Sequence, residues 1–189
     1  MKTMAAAIEV IYAINRELPD AISYFVGGCV RDQFLCGDSD HSNIKDVDIE
    51  VFNVPYLQLL TALQKHYEVD VVGASFGVIK IKGLPVDVSL PRIETCTGGG
   101  HKDFAVTVDP FLSVPEAAKR RDFTINAIYY NHLTGKYVDP YNGQAHLAAK
   151  LLHPVSEKFE EDALRALRAM QFIARFDLLP SYETVKRCK

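Results

Sequence analysis

The run Asp46-Val47-Asp48-Ile49-Glu50-Val51 alternates acid and aliphatic residue without a break, and it constrains the fold more than any other segment. Strict alternation marks a strand whose two faces meet different surroundings, one apolar and one polar. All three acids then share a side, while Val47, Ile49 and Val51 need a core beneath them. Helical and β-rich runs alternate around this strand. Residues 3–17 carry apolar positions at helical spacing (Ile8, Ile11, Tyr12) and are stopped by Pro19. Residues 23–26 are β-rich and end in Gly27-Gly28. Residues 29–35 return to helical spacing, so the paired glycines fall in a strand-to-helix turn. Residues 55–65 predict a helix opened by proline, and residues 68–72, 76–82 and 85–90 predict three further strands of a mixed sheet.

Residues 38–43 read as a polar loop, and residues 92–112, which hold Gly98-Gly99-Gly100, as a long, weakly ordered, functional connection. A helix is predicted over 116–129, a short strand over 136–138, and a turn at Asp139-Pro140-Tyr141-Asn142-Gly143. Ser156 is the expected N-cap of one last helix running to about Phe176. Composition shifts there to Ala, Leu and Arg. This places an α/β domain at residues 1–153 and the start of a helical domain at residues 154–189.

At 189 residues and 48% hydrophobic content the chain can bury a sizeable core. Nothing in it has the length of a membrane span or the pattern of a secretory signal. The four cysteines (Cys29, Cys36, Cys96, Cys188) lack CxxC spacing, so reduced thiols in a cytoplasm are expected rather than structural zinc. A net charge of -3 argues against a whole surface that grips nucleic acid, since phosphate binding rests on Lys and Arg. Any RNA affinity must be local, at Lys119, Arg120 and Arg121 and at Arg165, Arg168, Arg175, Lys186, Arg187 and Lys189.

Asp46 and Asp48, two residues apart on a strand, have their roots roughly 6.5–7 Å apart on one face, close enough to bridge hard cations. Magnesium suits such oxygen ligands and a triphosphate, and a two-ion site would stabilise both attacking and leaving oxygens. Asp87 is the candidate third ligand, with Glu50 competing for the part. Upstream, Gly27-Gly28 lets the backbone approach a phosphate, the next helix offers free N–H groups, and Arg31 lies one turn in. Arg121 could pair with phosphate oxygens and Asp122 could accept from a ribose hydroxyl. Asp162, Arg165 and Arg168 are three residues apart, which would put an acceptor and donors on one helix face, as reading a base edge requires. Taken singly each feature has a plainer reading: a solvated strand face, a tight turn, a surface ion-pair cluster. Their order along one chain is what gives them weight.

Together these segments resemble the class II tRNA nucleotidyltransferase and bacterial poly(A) polymerase family, whose core is polymerase-β-like. Phe25-Val26-Gly27-Gly28-Cys29-Val30-Arg31-Asp32 with Asp46-Val47-Asp48 resembles its first motif. Arg120 through Ala127 matches its Arg-Arg-Asp-Phe-Thr-x-Asn-Ala, Asp139 through Gly143 its third, and Glu161 through Arg168 its fourth. The resemblance implies an α/β (α+β) head with a mixed sheet flanked by helices, followed by the start of an all-helical neck. It implies that Asp46 and Asp48 hold Mg²⁺ and activate an RNA 3′-hydroxyl. Gly28, Arg31 and Arg121 would contact the incoming ATP or CTP, Asp162 and Arg165 would select the base, and residues 92–112 would help switch between CTP and ATP. The implied partners are the tRNA 3′ end and the two nucleotides, with no membrane and no protein partner indicated.

Two departures stand out. His146 occupies a place where the third motif usually has a second Asp, which bears on a contact near the head–neck junction. Gln171 stands where the last helix often carries another Arg. Family members normally continue through further helical domains, so a chain ending at Lys189 is expected to be a fragment or a minimal form. CCA addition, CC-only or A-only addition and poly(A) synthesis share these motifs, and the intact loop favours CCA. A dinucleotide site would want GxGxxG, which Gly27-Gly28-Cys29-Val30 does not supply. A non-catalytic RNA-binding module would have no need of Asp46 and Asp48.

Overall fold

The alternating run forms the central strand of a seven-stranded sheet in the computed structural model, which describes residues 2–36, 44–71, 77–97 and 104–189. The opening helix α1 (Lys2–Glu17) buries Ala7, Val10, Ile11 and Ile14, the i, i+3, i+4, i+7 stripe of a helix lying on a core. Strand β1 (Ile22–Val26) turns at Gly27 into α2 (Gly28–Cys36). β2 (Val47–Phe52) then pairs antiparallel with β1, and α3 (Tyr56–Gln64), entered through Pro55, packs Leu59 and Leu63 into the same core. β3 (Val69–Asp70), β4 (Val78–Ile81) and β5 (Val86–Ser89) form an antiparallel meander, with β5 parallel to β2. Val47, Ile49 and Val51 are fully buried beneath the helices; burying each such aliphatic side chain stabilises the fold by roughly 1.5–3 kcal/mol.

The other face of β2 carries Asp48, Glu50 and Phe52, and the sheet register lines up its neighbours. Tyr129, Val26, Asp48, Asp87 and Lys80 are successive cross-strand partners over five strands. The acid face is open at Asp48 and closed over at Glu50, which has no exposed surface. Phe52, Val26 and Tyr129 build a second, smaller core there with Ala117 and Ala118.

Three segments differ from the sequence reading. The first part of the connection at 92–112 is a hairpin, β6 (Arg92–Cys96) paired antiparallel with β7 (Phe104–Val108). Ile93 and Thr95 on one strand, Val106 and Val108 on the other, are β-branched residues that favour pairing. Gly98-Gly99-Gly100 and the polar loop at 38–43 lie outside the described residues. The predicted helix at 116–129 is replaced by a short α4 (Val114–Ala118), a 3₁₀ turn at Thr124–Asn126, β8 (Tyr129–Asn131) and β9 (Lys136–Val138). The Asp122 carboxylate accepts the Phe123 N–H at 2.8 Å and the Asn126 amide at 2.9 Å, a local competition that side chains of this kind win against helix. The predicted last helix is broken. Ser156 does cap, accepting the Lys158 N–H at 3.3 Å, but only for a 3₁₀ stretch, Glu157–Glu161.

The expected turn at 139–143 is present, and the Asp139 carboxylate accepts the Gly143 and Gln144 N–H groups at the head of α5 (Gly143–Ala148). A Cβ at position 143 would run into the Thr124 carbonyl, so only glycine fits. β10 (Leu151–Leu152) follows, then α6 (Leu164–Phe176), β11 (Leu179–Pro180) and α7 (Tyr182–Arg187). Cys29 is buried, its thiol pushed up to about 12 by burial, and both it and Cys188 are free; the side chains of Cys36 and Cys96 lie outside the described ones. Among the described residues no helix is long and apolar enough to cross a membrane.

His146 bridges two parts of this scaffold. Its Nδ1 is 2.8 Å from the Thr124 hydroxyl and its ring lies 5.0 Å from that of His153, whose Nδ1 is 2.9 Å from the Ser181 hydroxyl. Burial first, and His146 next, hold the His153 pKa below its usual 6.5, against the pull of Glu183. A histidine that resists protonation in the folded state leaves the protein most stable above that value, and stability falls as pH drops through it. The thermal midpoint should therefore fall between about pH 7.5 and about pH 5.5, and the fall should be smaller in His153→Gln. Equal falls in both proteins would remove His153 as the cause.

Candidate active site

Gly28, Arg31, Asp48, Arg121, Asp122, Asp162, Arg165 and Arg168 open onto one cavity of about 590 Å³, within the size range of ligand pockets. Asp46 and Asp87 line an adjoining cavity of about 660 Å³, and Asp48 borders both. The strand-to-helix turn explains the entrance. Gly27 has a φ of +79°, and a Cβ there would stand 3.2 Å from an Asp48 carboxylate oxygen and 3.6 Å from Arg121 Nη1. The backbone thus passes next to both groups, with the N-terminus of α2 directly after.

The Arg120–Ala127 segment supplies the cavity wall. Arg120 Nη2 donates to Glu50 Oε1 at 2.9 Å, and Arg121 Nη2 donates to Glu50 Oε2 at 2.9 Å. The Tyr129 hydroxyl also donates to Glu50 Oε2, at 3.0 Å. Burial alone would raise the Glu50 pKa, but Arg120 and Arg121 outweigh it and hold it at about 2. Glu50 is therefore not a metal ligand candidate: its oxygens are spent on arginines. Burial alone would lower the Arg121 pKa, and Tyr129 and Glu50 raise it instead, so Arg121 is a permanent cation here.

Asp122 is also fully engaged. Its Oδ2 accepts from Arg168 Nε at 2.7 Å while Oδ1 takes Asn126 and the Phe123 N–H. Asn126 Oδ1 in turn accepts from Arg31 Nη1 at 2.7 Å, and the Arg31 guanidinium lies 5.1 Å from the Phe172 ring and 4.5 Å from the Phe176 ring. Arg31 is gripped further by Asp32. Asp162, Arg165 and Arg168 do not occupy successive turns of one helix. Asp162 is extended and its carboxylate accepts the Leu164 N–H at 2.9 Å, so it starts α6 rather than riding on it. Arg165 is buried, donating to the carbonyls of Lys158 (2.8 Å) and Arg120 (2.7 Å).

On the acid side, Asp87 pairs with Lys80 at 2.9 Å. The Asp48 pKa is raised by desolvation at the pocket floor, with Asp87 and Glu50 pushing the same way and Arg121 and Arg120 pulling it down. Among the described residues no group of three His, Cys, Asp or Glu side chains is gathered at metal-binding spacing. The donor set that remains, Asp46 and Asp48 with the Lys80-paired Asp87 beyond, is all oxygen, which fits a hard divalent ion.

Sequence reasoning did not single out Arg92, Tyr129, Phe172 and Phe176. Arg92 was hidden inside a supposed loop, yet it lines the cavity held by Glu94. The signal for Phe172 and Phe176 was available: aromatics four apart on a helix whose other residues include Arg168 and Arg175. Gln171 is exposed beside Arg168 and Arg175 on the outer side of α6.

Both Gly27 and Gly83 adopt positive φ, but only Gly27 is crowded; nothing lies within 4 Å of a Cβ at Gly83. Each glycine-to-alanine change should cost about 1–2 kcal/mol from the left-handed backbone. Gly27→Ala should cost more, measured by denaturant unfolding, because the methyl displaces Asp48 or Arg121. Equal losses would show that the close approach at Gly27 is relaxed in solution.

Residues 23–153 match the family described as poly A polymerase head domain. The chain is 37% identical over 156 residues to a multifunctional CCA protein of Stenotrophomonas maltophilia, covering 81% of this chain and 35% of that protein. A multifunctional CCA protein of Haemophilus ducreyi is 36% identical over 153 residues, with the same coverage. Among solved structures, the Bacillus stearothermophilus CCA-adding enzyme in complex with CTP superposes with a TM-score of 0.75 at 27% identity, covering 96% of this chain and 41% of the other. A tRNA nucleotidyltransferase complexed with a primer tRNA and an incoming ATP analogue gives 0.69 at 29% identity, covering 93% and 47%. The chain spans about 35% of the length of the curated relatives it matches.

Proposed function

The chain belongs to the poly A polymerase head-domain family, and from that premise and the site geometry we propose that it carries the catalytic end of a template-independent RNA nucleotidyltransferase. The reaction joins the α-phosphorus of CTP or ATP to an RNA 3′-oxygen and releases pyrophosphate. The RNA is tRNA, and the activity is CCA addition or repair, a reading supported by the likeness to a CCA-adding enzyme and to a tRNA nucleotidyltransferase. We assign residues 1–153 to the head and residues 154–189 to the start of the neck. One observation carries the reading: a single cavity joins Asp48, the Gly27-Gly28 turn, Arg121 and the Asp162–Arg168 segment, parts far apart in sequence.

The residues divide the work by chemistry. Gly28 and the N-terminus of α2 present backbone N–H groups, and Arg121 presents guanidinium donors, to the triphosphate. Arg168, oriented by Asp122, faces the same cavity and adds a further cation. Asp162 and Arg165 border the position of the base, where an acceptor beside donors can discriminate its hydrogen-bonding edge. In this structure Arg165 spends two donors on carbonyls, so its reading of a base uses what those bonds leave. Asp46 and Asp48 would hold Mg²⁺, with Asp87 available once released from Lys80. Bound magnesium would polarise phosphoryl oxygens and make the 3′-hydroxyl a better nucleophile. The free thiols of Cys29 and Cys188 are compatible with a reducing cytoplasm.

The decisive measurement incubates the protein with tRNA lacking its 3′ end, Mg²⁺ and each labelled nucleotide in turn. Incorporation of C and A in order is expected, and a product containing A alone would select poly(A) or A-only synthesis instead. Asp48→Ala should lower the rate at least about a hundredfold, the scale of losing a metal-held charge stabilisation, while retaining RNA affinity in a gel-shift assay. Full activity in both Asp46→Ala and Asp48→Ala would overturn the assignment.

A further inference from the structure

Phosphoryl transfer relies on donors aimed correctly before substrate arrives, and one buried acid holds two of the cavity's arginines at once. Glu50 is fully buried, and its two oxygens are divided. Oε1 accepts from Arg120, while Oε2 accepts from Arg121 Nη2 and from the Tyr129 hydroxyl. The same hydroxyl accepts from Arg121 Nε at 3.4 Å. Arg121 is thus gripped at Nη2 and Nε. Its Nη1 has no hydrogen-bond partner among the described residues, and it is the nitrogen beside Gly27. Arg120 is fixed through Nη2, and its carbonyl receives Arg165 Nη2 at 2.7 Å. One carboxylate against two guanidiniums leaves the bonded cluster one positive charge in excess, offset in part by Asp48 across Gly27, and Nη1 is the nitrogen left to take an anion.

We propose that Glu50 is a positioning residue: it aims Arg121 Nη1 at the phosphates of a nucleotide over the Gly27-Gly28 turn, and through Arg120 it fixes the carbonyl that seats Arg165. It touches neither substrate nor metal. The proposal rests on the nucleotidyltransferase reading and deepens it. A residue that merely neutralised charge would behave differently when removed. Losing its charge adds to the local positive potential and should tighten nucleotide binding with turnover preserved, whereas losing an aiming contact lowers turnover.

The test compares Glu50→Gln with the unaltered chain in three measurements: kcat for nucleotide addition, Kd for ATP without RNA, and the Arg121 Nε–H signal in ¹⁵N spectra. The expected result is a kcat at least about tenfold lower with Kd within about threefold, and loss of the slowly exchanging Arg121 signal. Should Glu50→Gln fail to fold, Tyr129→Phe removes only one contact to Oε2 and should give the same split more weakly. Unchanged kcat with tighter ATP binding would overturn the proposal, as would an unaltered Arg121 signal. If the unaltered chain binds ATP but adds no nucleotide, the functional reading fails, while the Arg121 signal still decides whether Glu50 aims that side chain.

Discussion

Among the described residues, seven guanidiniums, those of Arg31, Arg92, Arg120, Arg121, Arg165, Arg168 and Arg175, share the walls of one cavity with three acids, Asp48, Asp122 and Asp162. At an effective dielectric near 20, two like charges 4 Å apart repel by about 4 kcal/mol, so such a wall cannot stand on packing alone. The structure answers with an acceptor for almost every cation. Glu50 takes two, Asp122 takes Arg168, Asp32 and Asn126 take Arg31, Glu94 takes Arg92, and backbone carbonyls take Arg165. Arg175 instead lies 4.9 Å from the Phe176 ring. The guanidiniums therefore have fixed directions before any anion enters, and the cavity remains positive because the acceptors do not cancel them all.

This constraint explains which parts of the site could be read from sequence. The acid strand, the glycine turn and the Arg120–Ala127 segment were legible because each is local: alternation, two adjacent glycines and a contiguous string. What was not legible is which partner each residue finds. Glu50 and Asp48 sit on the same strand face and look alike in the alternation, yet one is fully buried beneath two arginines contributed from 70 residues away while the other faces solvent. The helix at 116–129 failed for a related reason. Its periodicity was apolar enough, but Asp122 and Asn126 satisfy backbone and arginine donors that a helix would have left to solvent.

The break at Asp162 shows how a misread boundary changes the chemistry. On a continuous helix, Asp162, Arg165 and Arg168 would project together with their backbone groups satisfied within the helix. In the structure, the Asp162 carboxylate is spent in part on starting α6, and Arg165 reaches back to the carbonyls of Lys158 and Arg120. The segment that borders the base in the proposed reaction is thus built from the end of one element, the start of another and the back of the arginine segment. A shift of α6 must move all three together. The contacts of Arg31 with Phe172 and Phe176 tie that same helix to the phosphate end of the cavity, so the two ends of a bound nucleotide would be held by one rigid connection.

The register row across the sheet sets where the two halves of that reaction divide. Tyr129 belongs to the arginine cluster, Asp48 borders both cavities, and Asp87 with Lys80 belongs to the acid side. Because cross-strand neighbours stand only about 5 Å apart, positive wall, bridging acid and second acid follow one another within three strand spacings. Among the described residues Asp48 is the one carboxylate in this row without an arginine or lysine bonded to it, and its pKa is raised chiefly by desolvation, against the pull of Arg121 and Arg120. Asp87 differs only in being paired with Lys80, a flexible surface side chain whose exposed ion pair is weak and easily exchanged. The sheet therefore holds one acid free of a bonded cation on the border between the cavities, where a nucleotide's phosphates would pass from the arginine wall toward the incoming RNA end, and a second just beyond it that is released at little cost.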